Sequence, residues 1–422
     1  MPQPPDTLPH NPLATADERA LEDLALRLLC SPAVARVRPI VEMLWRNGIA
    51  YPAREQMDRF DDMLEEYLFH HALRAANSDP RYPRVLRLMN PPGHWFGRAI
   101  PGSRWGGDSP DFIYRMIPVE PGQRYEIRGR CSGVAPSSVT YSLASGGAAT
   151  ATLAVLDSAE MRYEEDGSFV LTLDDDDAGA RPNHLRLAPG ADHLLIRDAI
   201  GDWGSETPNH ISAQLLDAPG REPLDEDVLA ARAAQGAMQS LYFTFYCTQS
   251  ASGQPPNELR APASSGAFGG MATQWGAKSN LCLEDDQALV ITANAAGALF
   301  RNVVLCDQFF LTADYWSRTG SLNMCQMAAD EDGDFTYVVA HRDPGIHNWL
   351  DTGGLRRTIL GHRWQGIPPG STAGTPAIAA RVVPFSALDR ELPAKVRRIS
   401  AQERREQLHK RLEGYKRRWL DY

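Results

Sequence analysis

Between residues 112 and 216 the chain is cut into short β-type runs, at 112–117, 124–131, 138–143, 152–156, 168–173, 193–198 and 210–216. Turns such as Glu120-Pro121-Gly122 and Glu165-Asp166-Gly167 separate them, and no helix-length apolar pattern intervenes. Strands spaced this closely predict an antiparallel sandwich or jelly roll, whereas a parallel sheet needs crossover helices. A second set follows at 288–292, 302–311, 322–327, 335–340, 358–364 and 377–383. Its turn Glu331-Asp332-Gly333-Asp334 echoes Glu164-Glu165-Asp166-Gly167, which hints at two similar sandwiches.

Helices are expected around these sets. Thr15 with Glu18 three positions on resembles a capping box, and Leu21, Leu24, Leu28 and Leu29 follow at helical spacing. A second helix is predicted from Ser31-Pro32 to Asn47-Gly48, with Pro39 kinking or splitting it, and a third over 52–76 with Met57, Phe60, Met63, Leu64, Tyr67, Leu68 and His71 on one stripe. The stretch 225–247 starts as a helix and turns aromatic, 248–270 reads as a surface loop suited to a lid, and 395–422 is a basic helix with ten Lys/Arg against four acids. With 422 residues, 43% of them hydrophobic, the chain exceeds one ordinary core and suffices for two. The expected class is therefore mainly β with helical additions: a helical bundle at 1–90, a first jelly-roll or β-sandwich-like domain at 91–220, a bridging helix at 221–250, a second sandwich at 251–392 and a C-terminal helix at 393–422.

A net charge of −10 argues against a nucleic-acid partner, which needs a concentrated basic face. Cys30, Cys131, Cys247, Cys282, Cys306 and Cys325 form no CxxC pair, so neither a disulfide scaffold nor a zinc ribbon is indicated and a reducing cytoplasm is expected. The proline-rich start lacks the pattern of a secretory signal, and no window has the roughly 18 apolar residues of a membrane span. Docking of the basic tail on the rest of the chain, or on another copy in a homo-oligomer, is the expected use of that helix.

The run Asp343-Pro344-Gly345, followed by Asn348-Trp349-Leu350, resembles the uncharacterised family known as domain of unknown function 1214. Asp314-Tyr315-Trp316-Ser317, Ser321-Leu322-Asn323, the Asp-Gly-Asp-Phe turn, Val338-Val339-Ala340-His341-Arg342-Asp343 and the run from Gly107 to Arg115 are similar to that group too, as is the Arg-bearing strand with Arg356, Arg357 and Arg363. The resemblance spans both β regions and implies jelly-roll-like domains; it implies no activity and no site residues.

The candidate chemistry starts from His341, Asp343 and His347, whose H-x-D-x-x-x-H spacing sits where a strand runs into a Pro-Gly turn. An imidazole with a carboxylate orienter is suited to proton transfer, so His341 is the expected base and Asp343 its partner. The same three side chains are the candidate divalent-metal ligands, and a His–Asp hydrogen bond that pins the turn is the structural alternative. Tyr114 is a candidate acid, and Arg115 a candidate anion binder whose alternative is an ion pair with Asp108 or Asp111. Along a strand these two residues face opposite ways. Trp95, Trp105, Trp316, Asn323 and Trp349 are the candidate substrate contacts, because ligand sites are mostly apolar with few polar anchors. Without a nucleotide, flavin, phosphate-loop or nucleophile motif, no cofactor is expected. The resulting expectation is an enzyme acting on a small, largely apolar oxygenated compound (terpenoid, steroid or aromatic) by His/Asp acid–base catalysis, as a lyase, isomerase or hydrolase. The alternative is a non-catalytic sandwich protein that binds a carbohydrate or another ligand.

Overall fold

The structure, a computed structural model, describes residues 11–49, 53–146, 151–268, 271–331, 333–367 and 374–419. Helix α1 (Ala16–Leu29) opens at Thr15, whose hydroxyl accepts from the Glu18 N–H at 3.0 Å. Ser31 caps α2 (Pro32–Gly48) in the same way, and the helix runs on through Pro39. The third expected helix is two, α3 (Arg54–Met57) and α4 (Phe60–Ala76), divided at Asp58 and Arg59. α4 is buried on nearly every face, Glu66, Phe69 and His70 included, because it is the centre of the bundle rather than one wall.

After α4 come β1 (Leu86–Leu88), a ribbon of β2 (Gly93–Trp95) and β3 (Arg98–Ile100), then β4 (Phe112–Pro118), β5 (Tyr125–Arg130), β6 (Ser138–Ser145), β7 (Ala151–Asp157), β8 (Ser168–Asp174), β9 (His184–Arg186), β10 (His193–Ala199) and β11 (His210–Leu215). They form a five-stranded sheet in the order β1-β4-β10-β6-β7 and a four-stranded sheet in the order β11-β5-β8-β9. Alternating positions of the two sheets, among them Ile127, Tyr141, Leu171, Leu194 and Ile196, meet in a closed core. Each such aliphatic side chain contributes about 1.5–3 kcal/mol by leaving water.

Helix α5 (Glu226–Ser252) follows, capped by Asp225. It takes up the first five residues of the expected loop at 248–270, and it packs on α1, α2 and α4 as a member of the bundle. Beyond it lie β12 (Ala263–Ser264), β13 (Trp275–Cys282), β14 (Gln287–Ala293), β15 (Phe300–Cys306), β16 (Ser321–Asn323), β17 (Phe335–Ala340), β18 (Trp349–Asp351), β19 (Arg357–Gln365) and β20 (Ile378–Pro384). Their sheets run β12-β13-β19-β15-β16 and β18-β17-β14-β20. Reading β12 for β1, β13 for β4, β19 for β10 and onward reproduces the first sandwich strand for strand. Even the one parallel pair of each matches, β8 with β9 and β17 with β18.

The correspondence reaches individual atoms. Asn183, just before β9, donates to Arg162 O (2.8 Å) and Val170 O (3.1 Å) and accepts from Arg162 N (2.8 Å). Asn348, just before β18, donates to Ala328 O (2.7 Å) and Thr336 O (3.0 Å) and accepts from Ala328 N (2.8 Å). Each asparagine thus ties the loop entering a β strand to that strand, and the Asn-Trp-Leu stretch is a structural device used twice. The two acidic turns that echo each other in sequence precede the corresponding strands β8 and β17; Asp332 itself lies outside the described residues.

Two short segments, α6 (Leu388–Glu391) and the capped α7 (Ala401–Lys416), end the chain. α7 buries arginines rather than an apolar stripe: Arg404, Arg411 and, just past its end, Arg418 are seven residues apart and point inward. Arg404 grips Asp343 (3.0 and 3.1 Å), Arg411 holds Gln326 (2.9 Å) and Ser321, and Arg418 bonds Pro110 O. The basic tail therefore docks on its own chain.

Candidate functional site

The His341, Asp343 and His347 side chains go three separate ways. His341 is bracketed by the Thr352 hydroxyl (2.6 Å) and Leu283 O (3.0 Å), so both ring nitrogens hold loops together. Asp343 is the exposed anchor of Arg404. Among the described residues the His347 imidazole bonds its neighbour Asn348 (3.1 Å), on the rim of a groove of about 800 Å³ beside α7; burial holds it below the usual range. Among the described residues no group of three or more His, Cys, Asp and Glu side chains is placed to hold a metal ion, so the proposed ligand triad is corrected.

The aromatic candidates are likewise dispersed. Trp95 is buried edge-on to Trp419 at 5.4 Å, and Trp105 donates to Thr244 Oγ1 (2.9 Å) inside the bundle. Trp316 stacks on Tyr415 at 5.4 Å, while Trp349 donates to Ala340 O (3.0 Å) under Arg404. Asn323 is a rivet between the sandwiches: with Asn302 and Trp203 it donates to Asp111, at 2.7, 2.8 and 3.0 Å. Arg115 pairs with Asp198 at 2.5 Å, a carboxylate 83 residues away, and not with Asp108 or Asp111. Asp108 instead accepts from Thr312, and burial lifts its carboxyl to about 6.

Tyr114 is the one candidate that faces a place where chemistry is possible. Tyr114, Arg197 and Thr140 stand side by side on β4, β10 and β6, on the outer face of the first five-stranded sheet. The outer face of the second sheet lies opposite and carries Gly276 beside Arg363, then Lys278 beside Gly361. Contacts join the two faces at their margin: Phe112 meets Phe300 at 5.4 Å, and the Arg363 guanidinium lies 4.9 Å from the centre of the Phe112 ring. Over the two glycines the faces part. A methyl on Gly361 would meet only Val304 O at 3.9 Å, and one on Gly276 only His362 O at 3.5 Å, both atoms of the same sheet. A gap therefore lies between Lys278 and Arg363, with Tyr114 and Arg197 across it.

The charges fit that geometry. Lys278 has an exposed side chain, yet burial is the largest influence on its ammonium and holds it below the usual lysine range; the two agree if solvent enters a recess walled by protein. Burial pushes Arg197 down to about 10, with Arg363 adding repulsion. Burial raises the Tyr114 phenol, against the pull of Arg363 and Arg197, so at neutral pH it is a proton donor. Grooves lie elsewhere, one of about 800 Å³ beside α7 lined by charges of both signs, and one of about 770 Å³ near Arg130 and His210 lined mainly by small and polar residues with Arg130 and Arg417. We place the candidate site at the gap because polar groups converge there from both sandwiches.

Sequence reasoning missed Lys278 outright; it reads Arg197 as interface packing as readily as catalysis, and Arg363 only as part of the Arg-bearing strand. The sole signal was the glycines at 276 and 361, which leave a strand face without side chains beside a lysine and an arginine.

No family model matches the chain, and no curated protein matches it. Among solved structures, an uncharacterized protein from Burkholderia cenocepacia is similar at a TM-score of 0.72 and 25% identity, over 86% of this chain and 100% of that one. The VPA0106 protein from Vibrio parahaemolyticus is similar at a TM-score of 0.39 and 12% identity, over 65% of this chain and 90% of that one.

Proposed function

We propose that this chain is an enzyme that takes a small, largely apolar oxygenated molecule into the gap between its sandwiches and exchanges a proton with it through Tyr114. The observation that carries the reading is the glycine-floored gap, with the Tyr114 phenol and the Arg197 guanidinium on its far side and the Arg363 guanidinium on the glycine side. Cations beside a phenol stabilise its anion, so Tyr114 can give a proton to a developing oxyanion and take it back, as a lyase, isomerase or hydrolase requires. Acid–base work moves from His341 and Asp343, whose bonds are structural, to this residue.

The test is a turnover screen of the whole chain against oxygenated terpenoids, steroids and aromatics, read by mass spectrometry. Tyr114→Phe should lower kcat about 100-fold or more with a smaller change in KM, the range of a lost general acid. Undiminished turnover by that variant sinks the proposal. A non-catalytic binder, of a carbohydrate or another ligand, is the second reading. It is favoured by the raised phenol, which makes Tyr114 a better hydrogen-bond donor than base at neutral pH.

Membership of the domain of unknown function 1214 family belongs to the same proposal, supported by the Asn-Trp-Leu turn and its neighbouring strands. So does a cytoplasmic location, supported by six free cysteines. Among the described residues no helix is long and apolar enough to cross a membrane. A homo-oligomer through α7 would have to use the helix's outer face, since Arg404, Arg411 and Arg418 engage their own chain.

A further inference from the structure

We infer that the molecule held in the gap is an organic acid, its carboxylate received by Arg197, Arg363 and Lys278 and its apolar part by the rings beside them. The inference rests on the gap being the ligand site and goes on to name the ligand's charge.

Three observations carry it. First, none of the three cations forms an ion pair among the described residues, although other buried arginines of the fold end on carboxylates or main-chain carbonyls: Arg104 on Glu66, Arg115 on Asp198, Arg411 on Tyr315 O. Arg197 has only the Met271 thioether at 2.9 Å, a weak acceptor, and its Nε is shut off from solvent with no partner. Secondly, Arg363 and Lys278 are held by rings instead, Arg363 over Phe112 at 4.9 Å and Lys278 4.5 Å from the centre of Phe310. Cation–π contacts fix both heads; Arg363 also bonds the Tyr114 hydroxyl, while the Lys278 ammonium keeps its N–H donors uncommitted among the described residues. Thirdly, the Thr140 hydroxyl beside Arg197 is buried, at 2% exposure, and also lacks a partner.

Like charges gathered in a recess repel, and an arrangement of this kind is stabilised by an anion from outside the chain. Two guanidiniums and an ammonium present planar and point donors that match a carboxylate. Phe112 and Phe310 add apolar walls, which an inorganic anion would not use.

The experiment is calorimetric titration of the whole chain at pH 7 and low salt with benzoate, its neutral isostere benzamide, and inorganic phosphate. Benzoate should bind at least about 10-fold more tightly than benzamide, the worth of a charge-assisted hydrogen bond. Arg197→Gln should weaken benzoate by about 10- to 100-fold and leave benzamide unchanged. Arg363→Gln is the second variant, required to give the same result should the first fail to fold. Gly361→Leu fills the gap without touching a charge and should abolish binding of both organic probes. Equal binding of benzoate and benzamide, both blocked by Gly361→Leu, overturns the organic acid and leaves the gap as the site. Binding indifferent to Gly361→Leu overturns the gap reading itself. Phosphate binding as tightly as benzoate, or no binding by any probe, overturns the inference.

Discussion

Asn348 and Asn183 make the same three hydrogen bonds in corresponding places, so replacing each by alanine separates geometry from burial. A net hydrogen bond contributes about 1 kcal/mol, and an acceptor left buried without a partner costs about 1–3 kcal/mol more. Thr336, whose carbonyl Asn348 serves, is fully buried, and Ala328 is half-buried. Val170 and Arg162, the counterparts served by Asn183, are exposed, so water replaces the lost amide there. Asn348→Ala should therefore cost about 5 kcal/mol and Asn183→Ala about 3 kcal/mol. With two separate cores, one global midpoint would blur the difference. Native-state hydrogen exchange read by mass spectrometry resolves it, in peptides spanning 335–351 and 168–186. Protection over 335–351 should fall about 10-fold or more further in Asn348→Ala than protection over 168–186 falls in Asn183→Ala. Equal losses, or a larger loss in Asn183→Ala, would refute the reasoning that burial of the orphaned carbonyl sets the cost.

Removing His341, whose two nitrogens bridge Thr352 and Leu283, should cost about 1–3 kcal/mol in chemical denaturation. Turnover of a discovered substrate should stay within about 2-fold of wild type; a larger kinetic loss in folded His341→Ala restores that residue to the site. His362, tilted against Trp364 with ring centres 3.9 Å apart, is held down to about 3 by burial. A depressed folded value means that its contribution is complete above the ordinary pKa of about 6.5 and is lost as pH falls toward about 3. Between pH 7 and 5 the stability of His362→Phe should therefore improve relative to wild type by about 2 kcal/mol, and a pH-independent difference contradicts the assignment. Arg404→Gln loses Asp343 and the Ile346 carbonyl, so trypsin should cut within α7 about 10-fold faster; unchanged cleavage would mean that the other inward arginines suffice.

Much of the fold was legible because its signals are local. Turn residues and short apolar runs marked the strands of both sandwiches, and Thr15, Ser31 and Asp225 marked helix starts. β13 escaped because Gly276, Lys278 and Asn280 on its outer face look like loop residues, and only alternate positions such as Ala277 and Leu281 are buried in the core. Missing that strand hid Lys278. The H-x-D-x-x-x-H run misled for the opposite reason: nearness in sequence suggested a shared site. The partners that decide the fate of His341 and Asp343, Leu283 and Arg404, lie 58 and 61 residues away. The Tyr114 and Arg115 alternation was legible, whereas the identity of the acid that pairs with Arg115 was not.

The duplication explains why a site should form where the sandwiches meet. Arg197 lies on β10 and Arg363 on β19, which are corresponding strands; Tyr114 lies on β4 and Lys278 on β13, another corresponding pair. Each copy therefore turns the same sheet toward the other and offers a guanidinium from the same strand. A surface that carries a cation on one sandwich carries it again on its twin, and face-to-face packing brings the two together. In a single sandwich that arginine would be solvated, and repulsion across the junction would be absent. In the duplicated chain the glycines on β13 and β19 hold the faces apart at the point of repulsion, while Asp111, Asn302 and Asn323 rivet them at the margin. The gap is thus the place where packing two like faces is least favourable for the chain alone and most favourable with an anion between them.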